Sequence, residues 1–383
     1  LGFPCGVDHG TFLMKSGVGQ RTGYKPVAEV DGLHACPGRL SELVEPLVLK
    51  GALRSCSWPA LRWANIEALR TLHGHRQVSI RFGTLNTAQK TPWEGQCDPL
   101  NGVQLGDFCA WLDGEEVASI PFLKSAWWGY CSYQHFEALF AELSDSNRSA
   151  CDFAQLLQKE DACTSTPGAP TLWLGSRGAC TPCHQDAYGQ NLVAQIAGEK
   201  RWLLFPPSSA WLGPSRLPYE DASTFTDVDP LSQDIPPGCQ GMHVVLSPND
   251  VLAIPRHWFH AVECVSDWSL SVNQWLDTPA DAVQKVHEAV TRCLATPLVE
   301  ARPHAWWLNP DEELLDTSEN IDFLTAALQA VRDGEELSPA SVQAALLRAA
   351  SHPEVVSAIV RLVQQELSAG QAFLDRSCCR KRK

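Results

Sequence analysis

The chain reads as a mainly β protein, a small barrel or sandwich with flanking helices and a helical C-terminal extension. Three observations predict this. Short apolar runs rich in β-forming residues, separated by turn residues, fill 171–277. A strand–helix–strand pattern precedes them over 45–83. Beyond Asp277 the spacing changes: Val283, Val286, Ala289, Val290, Cys293 and Leu294 recur at helical intervals and form one apolar stripe.

Residues 1–40 show no periodicity and receive no fold. Glu45–Gly51 and Gln77–Gly83 read as strands around a helix near Ala64–Leu72. Thr171–Gly175 is a short strand, and Thr181-Pro182-Cys183 leads into His184 at a strand or its mouth. Asn191–Ile196 and Arg201–Phe205, joined by Ala197-Gly198-Glu199-Lys200, read as a β-hairpin. His243–Leu246 and Val251–Ile254 flank Ser247-Pro248-Asn249-Asp250, where proline fixes φ and Asn and Asp accept local backbone bonds. The second of these strands is expected to deliver His260. Ser269–Trp275 alternates like a half-buried strand. Pro206–Gly241, rich in Pro, Ser and Asp, is expected to cap a pocket, with Arg216, Tyr219 and Glu220 as substrate contacts or loop anchors. Helices are expected over 321–331, 341–350 and 355–367, with Ser338-Pro339 and His352-Pro353 as start signals and Trp306-Trp307 assisting their docking. The organisation is thus an unassigned leader, a barrel with its lead-in over 41–280, and a helical region with a basic tail over 281–383.

His184-Gln185-Asp186 and the distant His260 carry the chemistry. Period-2 alternation puts His184 and Asp186 on one strand face, as two ligands of one ion require. Two imidazoles and one carboxylate leave open positions on a metal, the arrangement of non-haem Fe(II) oxygenases, whereas structural zinc takes four closed ligands. An H-x-D tripeptide alone is common, and a lone histidine near an apolar strand is ordinarily a packed one. Cys180-Thr181-Pro182-Cys183-His184 also fits the haem attachment signature C-x-x-C-H. That reading lacks an export route and leaves Asp186 and His260 unexplained. Zinc lacks a second cysteine pair, so both thiols read as core residues.

Four segments occur together in order: Thr181-Pro182-x-His184-x-Asp186; Gly198-x-Lys200-Arg201-x-x-Leu204-Phe205-Pro206-Pro207; Pro248-x-Asp250-Val251-Leu252-x-Ile254-Pro255-x-x-Trp258-x-His260; and Val272-Asn273-x-Trp275. This block resembles the JmjC class of the cupin superfamily, Fe(II)- and 2-oxoglutarate-dependent oxygenases. The resemblance implies a double-stranded β-helix, or jelly-roll, and iron on His184, Asp186 and His260. It implies 2-oxoglutarate and O2 as co-substrates, with Lys200, Thr181 and Tyr130 near the distal carboxylate of 2-oxoglutarate. Asn191 and Asn273 resemble family asparagines beside the co-substrate or metal. Taken without the resemblance, Lys200 reads as a solvated hairpin lysine and Asn273 as an outward polar residue. The implied activity is hydroxylation of a protein side chain, with lysine demethylation as a subclass. Ser57-Trp58-Pro59-Ala60, Thr71-Leu72-His73-Gly74 and Arg216-Leu217-Pro218-Tyr219-Glu220 are similar to members that associate with a small heat-shock protein, which implies such a partner. The alternative is a scaffold of this fold that binds that partner with little or no turnover.

Composition narrows the remaining choices. At 383 residues and 44% hydrophobic content the chain can bury a sizeable core. Fifteen irregularly spaced cysteines favour a reducing compartment, cytosol or nucleus. No apolar run approaches the ~18 residues of a membrane span, so no membrane or secretory segment is expected. A formal charge of −14 argues against a broad nucleic-acid surface. Arg380-Lys381-Arg382-Lys383 reads as a solvated terminus or nuclear address, and the C-terminal stripes as surfaces that pack at home, join subunits of a homo-oligomer or bind a partner helix.

Overall fold

The computed structural model describes residues 23–32, 40, 43–85, 98–139, 151, 153–156, 170–212, 223–226, 228–276, 278, 281–299, 316–332 and 339–351, with single positions at 356, 360 and 364. The elements run β1 (Tyr24–Pro26), β2 (Ala28–Asp31), β3 (Leu47–Lys50), α1 (Ile66–His73), β4 (Gln77–Thr84), β5 (Asp98–Gln104), α2 (Leu105–Leu112), β6 (Trp127–His135) and α3 (Phe136–Leu139). Then follow β7 (Thr171–Ser176), β8 (Cys180–Asp186), β9 (Gln190–Ala197), β10 (Lys200–Phe205), β11 (Ser223–Phe225), β12 (Gly241–Leu246), β13 (Val251–Ile254), β14 (Phe259–Cys264) and β15 (Trp268–Leu276). Helices α4 (Asp281–Val299), α5 (Thr317–Arg332) and α6 (Pro339–Ser351) complete the described chain.

The strands form a six-stranded sheet, β1-β12-β10-β14-β8-β11, and a nine-stranded sheet, β2-β3-β13-β9-β15-β7-β6-β4-β5. From β7 to β10, and again from β12 to β15, successive strands alternate between the two sheets. That alternation is the winding of a double-stranded β-helix. It corrects the hairpin expected across 191–205: β9 and β10 lie in different sheets, and the segment between them is a corner. Gly198 at this corner has φ +61, and a Cβ there would lie 2.0 Å from the Trp268 carbonyl oxygen, so only glycine fits the close backbone approach. A second correction concerns His260, which lies on β14 and not on β13, after a turn through Pro255–Trp258.

The central strands of the nine-stranded sheet are buried on both faces, so β15 is not half exposed. Leu172 and Leu174 of β7, Leu192 and Ala194 of β9, and Leu270 and Val272 of β15 point outward into the largest apolar cluster. Leu69 of α1 and Phe108 and Trp111 of α2 close that cluster from the other side. Helix α1 starts where Asn65 caps it, its side-chain oxygen accepting from the Glu67 amide at 2.9 Å. The opposite face of the same strands carries Asn191, Trp173, Ser271, Asn273 and Trp275, and it faces the barrel interior.

Within the leader, β1 joins β12 and β2 joins β3, both in parallel. Residues 1–22 lie outside the described residues. The described parts of 206–240 differ from a simple cap. Leu212 and Ile235 pack on Cys183, Leu203, Phe205 and Ala261, covering the outer face of the six-stranded sheet, while β11 adds an edge strand beside β8. Arg216, Tyr219 and Glu220, Trp306 and Trp307, the basic tail and nearly all of the helix expected over 355–367 lie outside the described residues. Helices α4 and α5 bury Val286 and Val290 against Ala327 and Val331. Among the described residues no helix is long and apolar enough to cross a membrane.

Candidate active site

Strand β8 is sandwiched between β14 and β11, and this pairing assembles the three candidate ligands. His260 stands directly opposite His184, and Ser223 opposite Asp186. One ligand atom from each of His184, Asp186 and His260 lies within 4.8 Å of the others, and all three residues are buried. The imidazole orientations are fixed from behind. His184 Nδ1 donates to the Pro182 carbonyl at 2.8 Å and His260 Nδ1 to the Trp258 carbonyl at 3.0 Å. Each ring therefore turns Nε2 toward Asp186, at 3.7 and 4.0 Å respectively. Burial first, then the neighbouring His260, pushes His184 well below its ordinary pKa, so its ring is neutral as a metal ligand must be.

Asp186 is held by a hydrogen-bonded relay that reaches across the barrel. Its Oδ2 accepts from Asn191 Nδ2 at 3.1 Å and from Trp275 Nε1 at 2.9 Å. Asn191 Oδ1 accepts from Asn273 Nδ2 at 2.9 Å, and Asn273 Oδ1 from Trp173 Nε1 at 2.7 Å. Such outer contacts set ligand orientation and basicity. The relay places Asn191 and Asn273 behind the candidate ligands, and Asn273, at 3% exposure, is no outward polar residue.

Thr181 reaches the interior through an irregularity. His184 and Thr181 are three positions apart, while their partners His260 and Val262 are two apart, so β8 carries one extra residue. Without that bulge Thr181 and His184 would face opposite ways. The Tyr130 hydroxyl and Thr181 Oγ1 are 3.3 Å apart, and Lys200 Nζ lies 5.5 Å from the Tyr130 ring centroid. Lys200 is 1% exposed, not a solvated hairpin lysine. Its ammonium donates to Ser271 Oγ at 2.7 Å and to the Trp173 carbonyl at 3.2 Å. Among the described residues no carboxylate pairs with it, and burial pushes its pKa down to about 8.

All eight sequence-derived residues line one cavity of about 380 Å³. Sequence reasoning missed other lining residues, namely Tyr188, Trp202, Ser223 and His135, and the supporting role of Trp173 and Ser271. Ser271 shares a strand face with Asn273, two residues on, which is the signal that could have found it; Trp173 stands opposite Ser271 on the neighbouring strand, a pairing the sequence does not show. Phe225, stacked on His184 with centroids 4.9 Å apart, sits on a strand too short to be read as one.

The donor set fits Fe(II) with 2-oxoglutarate. Two imidazoles and a carboxylate on one face suit a non-haem Fe(II) centre with open positions. A buried ammonium with no carboxylate partner among the described residues suits an anionic molecule.

The sequence profile of the cupin-like domain matches residues 39–282. The chain belongs to the JmjC-type cupin-like family. Among cupin-like relatives, HSPB1-associated protein 1 of Rattus norvegicus is 36% identical over 291 residues, covering 72% of this chain and 59% of that protein. The bifunctional peptidase and (3S)-lysyl hydroxylase JMJD7 of Homo sapiens is 26% identical over 282 residues, 64% of this chain and 79% of that protein. Lysine-specific demethylase 8 of Xenopus tropicalis is 26% identical over 241 residues, 60% of this chain and 48% of that protein. The chain spans about three fifths of the length of the HSPB1-associated relatives it matches. For this cupin-like chain the fold is therefore a family property, while the geometry of the ligands and relay is its own.

Proposed function

We propose that this chain is an Fe(II)- and 2-oxoglutarate-dependent dioxygenase that hydroxylates a protein side chain. The carrying observation is the convergence of His184, Asp186 and His260 in the cavity that also holds the Lys200 ammonium, which has no carboxylate partner among the described residues. Iron, 2-oxoglutarate and O2 would together supply the oxidising power to convert a C–H bond to C–OH, with succinate and CO2 as the other products. His184 Nε2, His260 Nε2 and an Asp186 oxygen would hold the metal. Lys200, with Thr181 and Tyr130, would take the distal carboxylate through charge-assisted hydrogen bonds. Asn191 and Trp275 hold Asp186 by Oδ2, leaving Oδ1 the freer oxygen. Trp202, Val193 and Val262 keep the inner wall apolar and limit water near the reacting groups. JMJD7 and lysine-specific demethylase 8 are named for reactions at lysine, which supports a protein substrate and keeps demethylation as a subclass. Among the described cysteines none is joined in a disulfide, which supports a cytosolic or nuclear setting.

The test is succinate formation from 2-oxoglutarate by iron-loaded protein under air, alone and with candidate partner protein, beside His260→Ala. Iron-dependent succinate that disappears in the variant supports the oxygenase. No succinate from protein with verified bound iron overturns it.

The names of the HSPB1-associated relatives favour a second reading, a scaffold that binds a small heat-shock protein. Pull-down of a small heat-shock protein by wild type, His184→Ala and Asp186→Ala separates the two. Equal capture by all three makes binding independent of the metal site, and capture lost in the variants joins the roles.

A further inference from the structure

Helix α4 contacts the pocket rim with a polar stripe, while its apolar stripe packs on α5. Asp281, Lys285, Glu288 and Arg292 recur at helical intervals on one side of α4. Asp281 Oδ1 lies 3.4 Å from Arg256 Nη1. Lys285 Nζ lies 5.4 Å from the ring centroid of Tyr188. The Glu288 carboxylate, 2% exposed, accepts from Arg292 Nε at 2.7 Å and from the Tyr188 hydroxyl.

Both targets belong to the segments that carry the candidate ligands. Tyr188 lies two residues after Asp186 and lines the cavity. Arg256 lies in the turn leading to His260. The two segments are also tied to each other, since the His257 amide donates to the Asp186 carbonyl at 3.3 Å and His257 Nε2 to the Ala187 carbonyl at 2.9 Å. His257 has φ +64, a left-handed conformation uncommon for a residue with a side chain. Backbone of this kind persists where its surroundings hold it.

We propose that α4 is a clasp on the pocket rim, in which Glu288 and Lys285 position Tyr188 at the mouth and Asp281 positions the turn before His260. The clasp makes the C-terminal helical region part of the site rather than an appendage. It deepens the oxygenase reading, on which it rests for its functional meaning, because substrate would enter past Tyr188. Glu288 is a positioning residue here, acting through Tyr188.

The test is hydrogen–deuterium exchange on the full chain, comparing wild type, Glu288→Ala, Glu288→Gln and Tyr188→Phe, with Mn(II) affinity measured in parallel. Losing a hydrogen bond to a charged group should speed exchange at 186–189 and 255–258 by about tenfold in Glu288→Ala. Strands β9 and β15 should exchange as before, and Mn(II) binding should weaken. Glu288→Gln keeps an acceptor for the Tyr188 hydroxyl and should restore most of the protection. Unchanged exchange at both segments in a folded Glu288→Ala protein overturns the clasp. If Glu288→Ala loses helix content, Tyr188→Phe carries the test, since removing one hydroxyl leaves α4 intact, and unchanged exchange there is equally fatal. These readouts need no turnover. Missing succinate would sink the oxygenase and leave the clasp standing, whereas unchanged exchange would do the reverse.

Discussion

His184 stands directly opposite His260 across the β8–β14 ladder, with ring centroids 4.2 Å apart. Two imidazoles this close, each with Nδ1 committed to a carbonyl, face the same carboxylate with the nitrogen that can bind a metal. Divalent metal should therefore stabilise the folded protein. At a metal concentration about 100 times Kd the gain is about 2.7 kcal/mol. Thermal unfolding with and without Mn(II), and after chelation, reads this directly. His260→Ala should abolish the shift, and a shift that survives in that variant would mean the metal binds elsewhere.

Asn273 is the joint between Trp173 and Asn191, one step removed from the hydrogen bond that Asn191 gives Asp186. Asn273→Ala frees Asn191 to turn away from Asp186. Metal affinity should fall about 10- to 100-fold. The unpartnered buried groups left behind should cost roughly 1–3 kcal/mol of stability. Calorimetric titration with Mn(II) checks the first, denaturant unfolding the second. Wild-type metal affinity in Asn273→Ala would remove the relay from the account.

Lys200 ties ligand binding to pH. Burial lowers its pKa from 10.5 to about 8, so between these values the unfolded chain holds the extra proton. Stability of the ligand-free protein then rises with pH across that window, and below it the buried ammonium is a standing cost. An anion needs that ammonium, so 2-oxoglutarate affinity should fall as pH rises above about 8. Lys200→Met should weaken 2-oxoglutarate binding roughly 100-fold while stabilising the ligand-free protein near neutral pH. Binding that is flat from pH 7 to pH 10 would sever Lys200 from the co-substrate.

The corner between β9 and β10 has no room for a side chain. Gly198→Ala places a methyl against the Trp268 carbonyl and 2.5 Å from Ser266 Oγ, at a left-handed φ. A loss of roughly 2–3 kcal/mol is expected, seen as a lower denaturation midpoint with unchanged slope. A neutral substitution would show that the corner can relax.

The convergence of His184, Asp186 and His260 was legible because His184 and Asp186 follow strand periodicity and His260 sits in a long ordered motif. Lys200 and the asparagines were legible through resemblance alone, since by residue type each had a commoner surface explanation. What stayed hidden was hidden for physical reasons. A turn between two apolar runs has the same local pattern whether the strands pair or part into opposite sheets, so β9 and β10 looked like a hairpin. A bulge leaves no mark in residue type, so simple alternation sets Thr181 and His184 on opposite faces. Tyr188 and Glu288 meet only after α4 docks, a contact that no local window of sequence contains.

The division of labour between the sheets has a consequence for how the protein acquires its chemistry. The six-stranded sheet carries His184, Asp186, His260, Thr181 and Lys200. Nearly every group that aims them, Asn191, Asn273, Trp173, Trp275, Ser271 and Tyr130, belongs to the other. A chain in which each sheet has formed but the two have not yet docked would possess the candidate ligands and the carbonyls that turn the imidazoles, but not the groups that hold Asp186 and Lys200. If the site binds metal, its affinity should therefore report on the docking of the two sheets.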